Sequence, residues 1–152
     1  MTGQRVARDG RFSRRRLLGG LAAAATTGLA GCTTSSADGD GGDDYDIGMT
    51  ASAFTPTEFT ISVGETVVWR NTSSRGHTVT AYDSGIPEDA EFFASGGYES
   101  TEGAREAFRS EFGGSIDSGA TWSHSFEVPG EYEYFCIPHE QGGMVGTIVV
   151  EA

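Results

Sequence analysis

An all-β sandwich with one short helical insertion is the fold this sequence predicts, and three observations predict it. Short runs from Phe59 onward alternate apolar and polar residues, which gives each run one apolar face. Turn residues separate those runs, and the 23 glycines among 152 residues favour turns over helices. Only the stretch from Glu99 to Phe112 places apolar residues at helical spacing.

The elements follow in chain order. Six of the ten arginines, Arg5, Arg8, Arg11, Arg14, Arg15 and Arg16, precede Leu17, and a weakly apolar run, Leu17 to Gly31, follows. A membrane-spanning helix needs about 20 apolar residues, so this run is too short to span. Basic residues ahead of a short apolar run are the pattern of an export signal, expected over 1–31. Ser13-Arg14-Arg15-Arg16-Leu17-Leu18 resembles the twin-arginine export motif. Leu29-Ala30-Gly31-Cys32 resembles a lipobox, which makes Cys32 the expected lipidated N-terminus of the mature chain. Residues 32–46 then read as a flexible acidic tether, because TTSSADGDGGDDYD offers almost nothing to bury. The folded domain is expected over 47–152.

Within it, Phe59, Ile61 and Val63 share one face, and Gly64-Glu65 turns the chain into Thr66-Val67-Val68-Trp69. Asn71 to Gly76 reads as a polar loop. Trp122, His124, Phe126 and Val128 line one face of a later strand, and Pro129-Gly130 ends it. Tyr132, Tyr134 and Cys136 share the next inward face, with Glu131, Glu133 and Phe135 pointing away. Val145 to Val150 is the last strand. An antiparallel sandwich is the expected arrangement. In the insertion, Ser100 or Thr101 caps the helix, Ala104, Phe108 and Phe112 face the core, and Glu102–Arg105 and Glu106–Arg109 form pairs.

The charge excludes one class of partner. With 10 basic and 22 acidic residues the chain carries −12, and all its bases are arginine; beyond residue 31 the balance is 4 basic against 21 acidic, or −17. Phosphate binding needs the opposite surplus, so a nucleic acid is not an expected partner. Acidity without lysine fits solubility in brine. In molar salt the screening length is about 3 Å, so such charge steers partners little.

Chemistry concentrates in Cys136-Ile137-Pro138-His139-Glu140-Gln141-Gly142-Gly143-Met144. This loop carries a thiolate, an imidazole and a thioether, and His77 stands upstream at the end of a turn. Two histidines, one cysteine and a weak axial methionine are the donor set of a blue-copper electron-transfer site. Pro138 stiffens the loop, and Gly142-Gly143 lets it curl towards Met144. Zinc suits this set less well, since its sites favour Cys and His. A disulfide between Cys32 and Cys136 is the competing use of the cysteines; a tether with nothing to dock it argues against that pairing. His124, which alternates with Trp122 and Phe126, reads as structural.

Trp69, Gly76-His77-Thr78-Val79, Tyr134-Phe135-Cys136-Ile137-Pro138-His139 and Met144-Val145-Gly146 resemble the plastocyanin branch of the cupredoxins. In its acidic lipoprotein form the chain resembles the halocyanin group of haloarchaea. The resemblance, over roughly Phe54 to Glu151, implies a Greek-key sandwich of seven or eight strands and one type 1 copper. It implies His77, Cys136, His139 and Met144 as ligands, and His139 as an electron port with Ile137 and Pro138 at its edge. It further implies a soluble or tethered one-electron carrier with no catalytic residues; the export signal and lipobox make the expected place the outer face of the cell membrane, and a monomer serving redox partner proteins is expected there. Two departures stand out: Thr78 replaces the asparagine of plant plastocyanins, and Phe135 replaces an exposed tyrosine, which puts a second electron-transfer face in doubt. The stretch from Asp83 to Asp117 is longer than in plant members. Two other functions remain in view. Copper storage or delivery calls for exposed Met or His residues, of which only Met49 is left over; a copper reductase needs further histidines, and only His124 is spare.

Overall fold

Apolar alternation becomes strand, and most consecutive strands lie in opposite sheets. In chain order the elements are β1 (Ile47–Met49), β2 (Phe54–Thr55), β3 (Glu58–Ser62), β4 (Thr66–Asn71), β5 (Thr80–Ala81), helix α1 (Thr101–Glu111), β6 (Thr121–Ser125), β7 (Gly130–Phe135), a 3-10 turn (Ile137–Gly142) and β8 (Val145–Glu151). The structure is a computed structural model that describes residues 44–152. The expected signal over 1–31, the lipobox cysteine Cys32 and the tether as far as residue 43 lie outside the described residues. Asp46, at the tether's expected end, is already docked: it exchanges 2.8 Å hydrogen bonds with Val68 through its own N–H and carboxylate.

One sheet has the order β2-β1-β4-β6 and the other β3-β8-β7-β5. Among the described residues the expected sandwich and its one α-helix are present, but the sheets are not wholly antiparallel. Strand β1 runs parallel to β4, and β3 parallel to β8. Alternation reports which face of a strand is buried and is blind to its direction. Here the chain leaves a sheet for the opposite one and returns in the same sense, as Greek-key connections allow.

The core lies between the sheets. Val67 and Trp69 from β4, Tyr132 and Tyr134 from β7, and Ile148 from β8 are all buried. Trp69 is its centre, with ring centroids of Trp122 at 5.3 Å, Tyr134 at 5.5 Å and Phe93 and Phe126 at 6.4 Å. Such aromatic pairs add about 0.5–1.5 kcal/mol each beyond area burial. Val63, expected inward, falls after β3 has ended and is 40% exposed.

The insertion holds further corrections. Ser100 is the cap, its hydroxyl accepting the Gly103 N–H at 3.1 Å. Ala104 is buried as expected and Phe108 half-buried, but Phe112 is 72% exposed. The helix stops at Glu111, and Phe112 takes a left-handed conformation (φ 56°) that turns its side chain out of the helical stripe. The expected i, i+3 pairs are also re-partnered: Arg109 reaches Glu102, and Arg105 leaves the helix altogether for Glu140.

Candidate metal centre

His77 is placed by a short loop that folds on itself. Asn71 ends β4 buried, and its side-chain amide donates to the carbonyls of Arg75 and, at 2.9 Å, Ile116. Its amide oxygen accepts from the Ser73 N–H at 2.9 Å and the Ser73 hydroxyl at 3.0 Å. All four hydrogen-bonding positions of this buried amide are thereby used, which is the condition for such a group to stabilise rather than to cost. Ser73 Oγ in turn lies 2.8 Å from His77 Nε2. With Nε2–H donating to the hydroxyl, the ring presents the lone pair of Nδ1 inward. The backbone of His77 is tied to Ile116 at the end of the insertion, by bonds of 3.3 and 2.7 Å.

Cys136 follows the last residue of β7 and is fully buried. From it the chain makes the 3-10 turn, with Pro138 near its start. At the far end Gly143 adopts φ 87°, a conformation that strains side-chain-bearing residues, so Gly143 rather than Gly142 supplies the expected curl. The Cys136 N–H then bonds the Met144 carbonyl at 3.0 Å, closing the base of the loop, and Met144 is fully buried beside it.

Three of the four expected ligands converge directly. Cys136 Sγ lies 3.5 Å from His77 Nδ1 and 3.3 Å from His139 Nδ1. The three donor atoms lie within 4.8 Å of one another, close enough to share one ion. The imidazoles are not alike: His77 is fully buried, whereas His139 is half-exposed, with ring centroids 4.8 Å apart. His124 stands apart, stacked on Phe93 at 4.9 Å and parallel to Trp122 at 6.0 Å, in the structural position expected for it.

Electrostatics keep the donors neutral and available. Burial first, then the charges of His139 and Arg75, lower the His77 pKa to about 4. Burial and Arg75 lower that of His139 as well. Burial raises the Cys136 thiol, against hydrogen bonds from Thr78 and His139 that favour its thiolate. Both imidazoles therefore offer free lone pairs at neutral pH, and a metal ion has only the thiol proton to displace.

Thr78 differs from the plant pattern, yet it joins the two ligand segments. Its N–H donates to Cys136 Sγ at 3.4 Å, and its hydroxyl accepts the Ile137 N–H at 2.8 Å. Phe135 is where the structure departs most from expectation. Instead of facing outward it is fully buried, stacked on Tyr82 with centroids 4.4 Å apart. The insertion covers the side of the sheet on which alternation had placed it.

Sequence reasoning passed over Asn71 and Ser73, whose only signal was a polar loop ahead of a histidine. It also missed Tyr82, Arg105 and Glu140, which are too far apart in the chain for any local pattern to join them.

The donor set suits copper: two imidazoles, a thiolate and a thioether satisfy both oxidation states, whereas zinc makes little use of methionine. Comparison with known proteins agrees. The description "Copper binding proteins, plastocyanin/azurin family" matches residues 43–151. Plastocyanin of Scenedesmus fuscus is 32% identical over 101 residues, covering 66% of this chain and 89% of that protein. The major chloroplastic isoform of Arabidopsis thaliana is 30% identical over 132 residues, 86% of this chain and 68% of its own length. Against the minor isoform the chain spans only about half of the relative's length, 51%. Among solved structures, amicyanin from Paracoccus versutus superposes with a TM-score of 0.51 at 26% identity, covering 74% of this chain and 86% of that one. With His77, Cys136, His139 and Met144 in the type 1 pattern, the chain belongs to the plastocyanin/azurin family of copper-binding proteins.

Proposed function

We propose that this cupredoxin is a one-electron carrier, not an enzyme, that works on the outer face of a cell membrane. The observation that carries the reading is the pairing of a buried imidazole with a half-exposed one on the same buried thiol. When bound, copper supplies the Cu(II)/Cu(I) couple. The chain's own residues keep that couple fast and selective. Asn71 and Ser73 orient His77, Thr78 links both ligand segments, and the closed base of the Cys136–Met144 loop resists rearrangement between oxidation states. His139 brings one ligand edge to the surface beside Ile137 and Pro138, where a redox partner protein docks.

Tethering is read from the sequence: an arginine-rich leader, a lipobox ending at Cys32, and an acidic spacer before the domain. With the lysine-free acidity, these features support a halocyanin-like, monomeric lipoprotein in a saline setting. Storage or delivery of copper fits less well, because the donors converge on one site, with His77, Cys136 and Met144 buried.

Three measurements test the proposal. Copper-loaded protein is expected to show an intense thiolate-to-copper absorption in the visible, lost in Cys136→Ser; a wild-type protein as colourless as that variant would overturn the copper site. Mixed with its source membranes, reduced protein is expected to reoxidise in an oxygen-dependent manner and to partition into detergent, the latter lost in Cys32→Ser. Partitioning that persists in the variant overturns the lipid anchor, and absence of reoxidation overturns the carrier.

A further inference from the structure

We propose that the insertion between Asp83 and Asp117 is a clamp on the metal-binding loop, with Arg105 as its positioning residue, holding the loop in its ligating shape before metal arrives. This rests on the copper reading only for the identity of the ion.

The loop is closed at its base, but the turn it carries is not packed into the core. No residue of the 3-10 turn is buried, and the backbone bonds at its ends are short-range ones, among them His139 N–H to the Cys136 carbonyl at 3.1 Å, Gly143 N–H to the Glu140 carbonyl at 2.9 Å and Met144 N–H to the His139 carbonyl at 3.2 Å. Short 3-10 segments have weak hydrogen-bond geometry and seldom persist unaided. An outside support is present. Arg105 of α1 reaches Glu140, the residue after the ligand His139, through two parallel bonds of 2.7 and 2.9 Å. The Tyr82 hydroxyl donates to the same carboxylate at 2.9 Å. The guanidinium also lies 4.4 Å above the ring of Phe135, the residue before the ligand Cys136, and Tyr82 stacks on that ring. One arginine and one tyrosine thus grip both flanks of the segment that carries two ligands.

The grip differs from an ordinary surface pair. The Arg105 and Glu140 side chains are only 24% and 25% exposed, and the bidentate fork fixes direction as well as distance. Arg109 and Glu102, on the same helix, meet through a single 3.1 Å bond at 61% and 73% exposure, where an ion pair orders little. The clamp also has a fixed base. Thr101 at the start of α1 donates through its hydroxyl to the Ala81 carbonyl of β5 at 3.0 Å and through its N–H to the Asp83 carboxylate at 3.2 Å. Ala104, one residue before Arg105, is buried against the domain. Rigid support behind a side chain is what allows it to position another group.

The test uses the metal-free full chain, so it is independent of whether copper is the ion. Hydrogen exchange is measured at the amides of His139, Gly143 and Met144. In Arg105→Gln these amides are expected to exchange about tenfold faster, since a charge-assisted bond pair of this kind is lost. Arg105→Lys, which keeps the charge and loses the fork, is expected to fall between. Arg109→Gln removes the same charge from the same helix without touching the loop and is expected to exchange as wild type. In the copper-loaded protein, Arg105→Gln is expected to lose its metal to a chelator faster than Arg109→Gln does. Wild-type exchange at the three amides in Arg105→Gln overturns the clamp, as does an equal rise in Arg109→Gln. If circular dichroism shows α1 unravelled in Arg105→Gln, Glu140→Gln decides, because it leaves the helix sequence intact: faster exchange there supports the clamp and unchanged exchange overturns it. A wild-type protein that never takes up copper refutes the metal reading and leaves this test standing.

Discussion

The two histidines of the centre are held by opposite means. His77 is buried and fixed by neutral hydrogen bonds from residues within six positions of it, Asn71 and Ser73. His139 is half-exposed, and its neighbour Glu140 is anchored by charged and aromatic groups 35 and 58 residues away. The buried ligand needs an uncharged support, because an unpaired charge beside it would pay a desolvation cost with no return. The exposed ligand must reach a partner, so it cannot be walled in, and its order comes from a side chain beside it. Burial fixes one imidazole; an ion pair at the surface fixes the other. Electron transfer needs both, a rigid inner shell and an open edge.

Removing the local support should have the larger effect. Asn71→Ala leaves two carbonyls and the Ser73 hydroxyl without their partner, and such losses cost about 1–3 kcal/mol each when the groups are buried. A fall of that order in denaturant-unfolding stability of the metal-free protein is expected; a loss below that range would mean water replaces the amide. Ser73→Ala keeps the fold and frees Nε2 of His77. Residues that orient a ligating histidine are typically worth about 10–100-fold in metal affinity. A chelator competition that finds wild-type affinity would show that burial alone orients the ring.

The contrast also explains what the sequence could reveal. Cys136, His139 and Met144 sit on one loop and must, since a metal loop is local; His77 was legible beside them because few histidines compete for the role. The sandwich was legible from runs such as Tyr132 and Tyr134 alternating with Glu131 and Glu133. Strand direction was not, because period-two patterning is the same either way along the chain. Phe135 was misplaced for a related reason: alternation names the face, but only the fold of the insertion shows that this face is covered. Arg105 seemed committed to Glu102 by helical spacing. Spacing proposes partners on one helix, and a partly buried carboxylate brought near by the tertiary fold, bound through two bonds, outcompetes them.

A smaller effect is expected at the open edge. Arg75 is exposed, and its charge bears on both imidazoles. A nearby positive charge disfavours the more oxidised ion, so Arg75→Gln should lower the reduction potential measured by voltammetry, and the difference should shrink as salt is raised. A potential that does not move would mean that this charge is screened from the centre even at low salt.

The smallest effect lies outside the centre, at the third histidine. His124 stacks on Phe93 and Trp122, and burial lowers its pKa from 6.5, with Glu91 opposing. Above the ordinary value both folded and unfolded chains carry a neutral ring, so pH has no grip on it. Below that value the unfolded chain binds the proton and the folded chain resists, so stability falls with pH until the folded pKa is passed. His77 and His139 add acid sensitivity of the same sign in metal-free protein, so the share of His124 is read by difference. His124→Gln should lose less stability than wild type between neutral pH and mild acid, with both followed by denaturant unfolding. Equal losses would place the whole acid response at the two ligands, and would make the stacked ring an apolar filler that gains its proton as readily folded as unfolded.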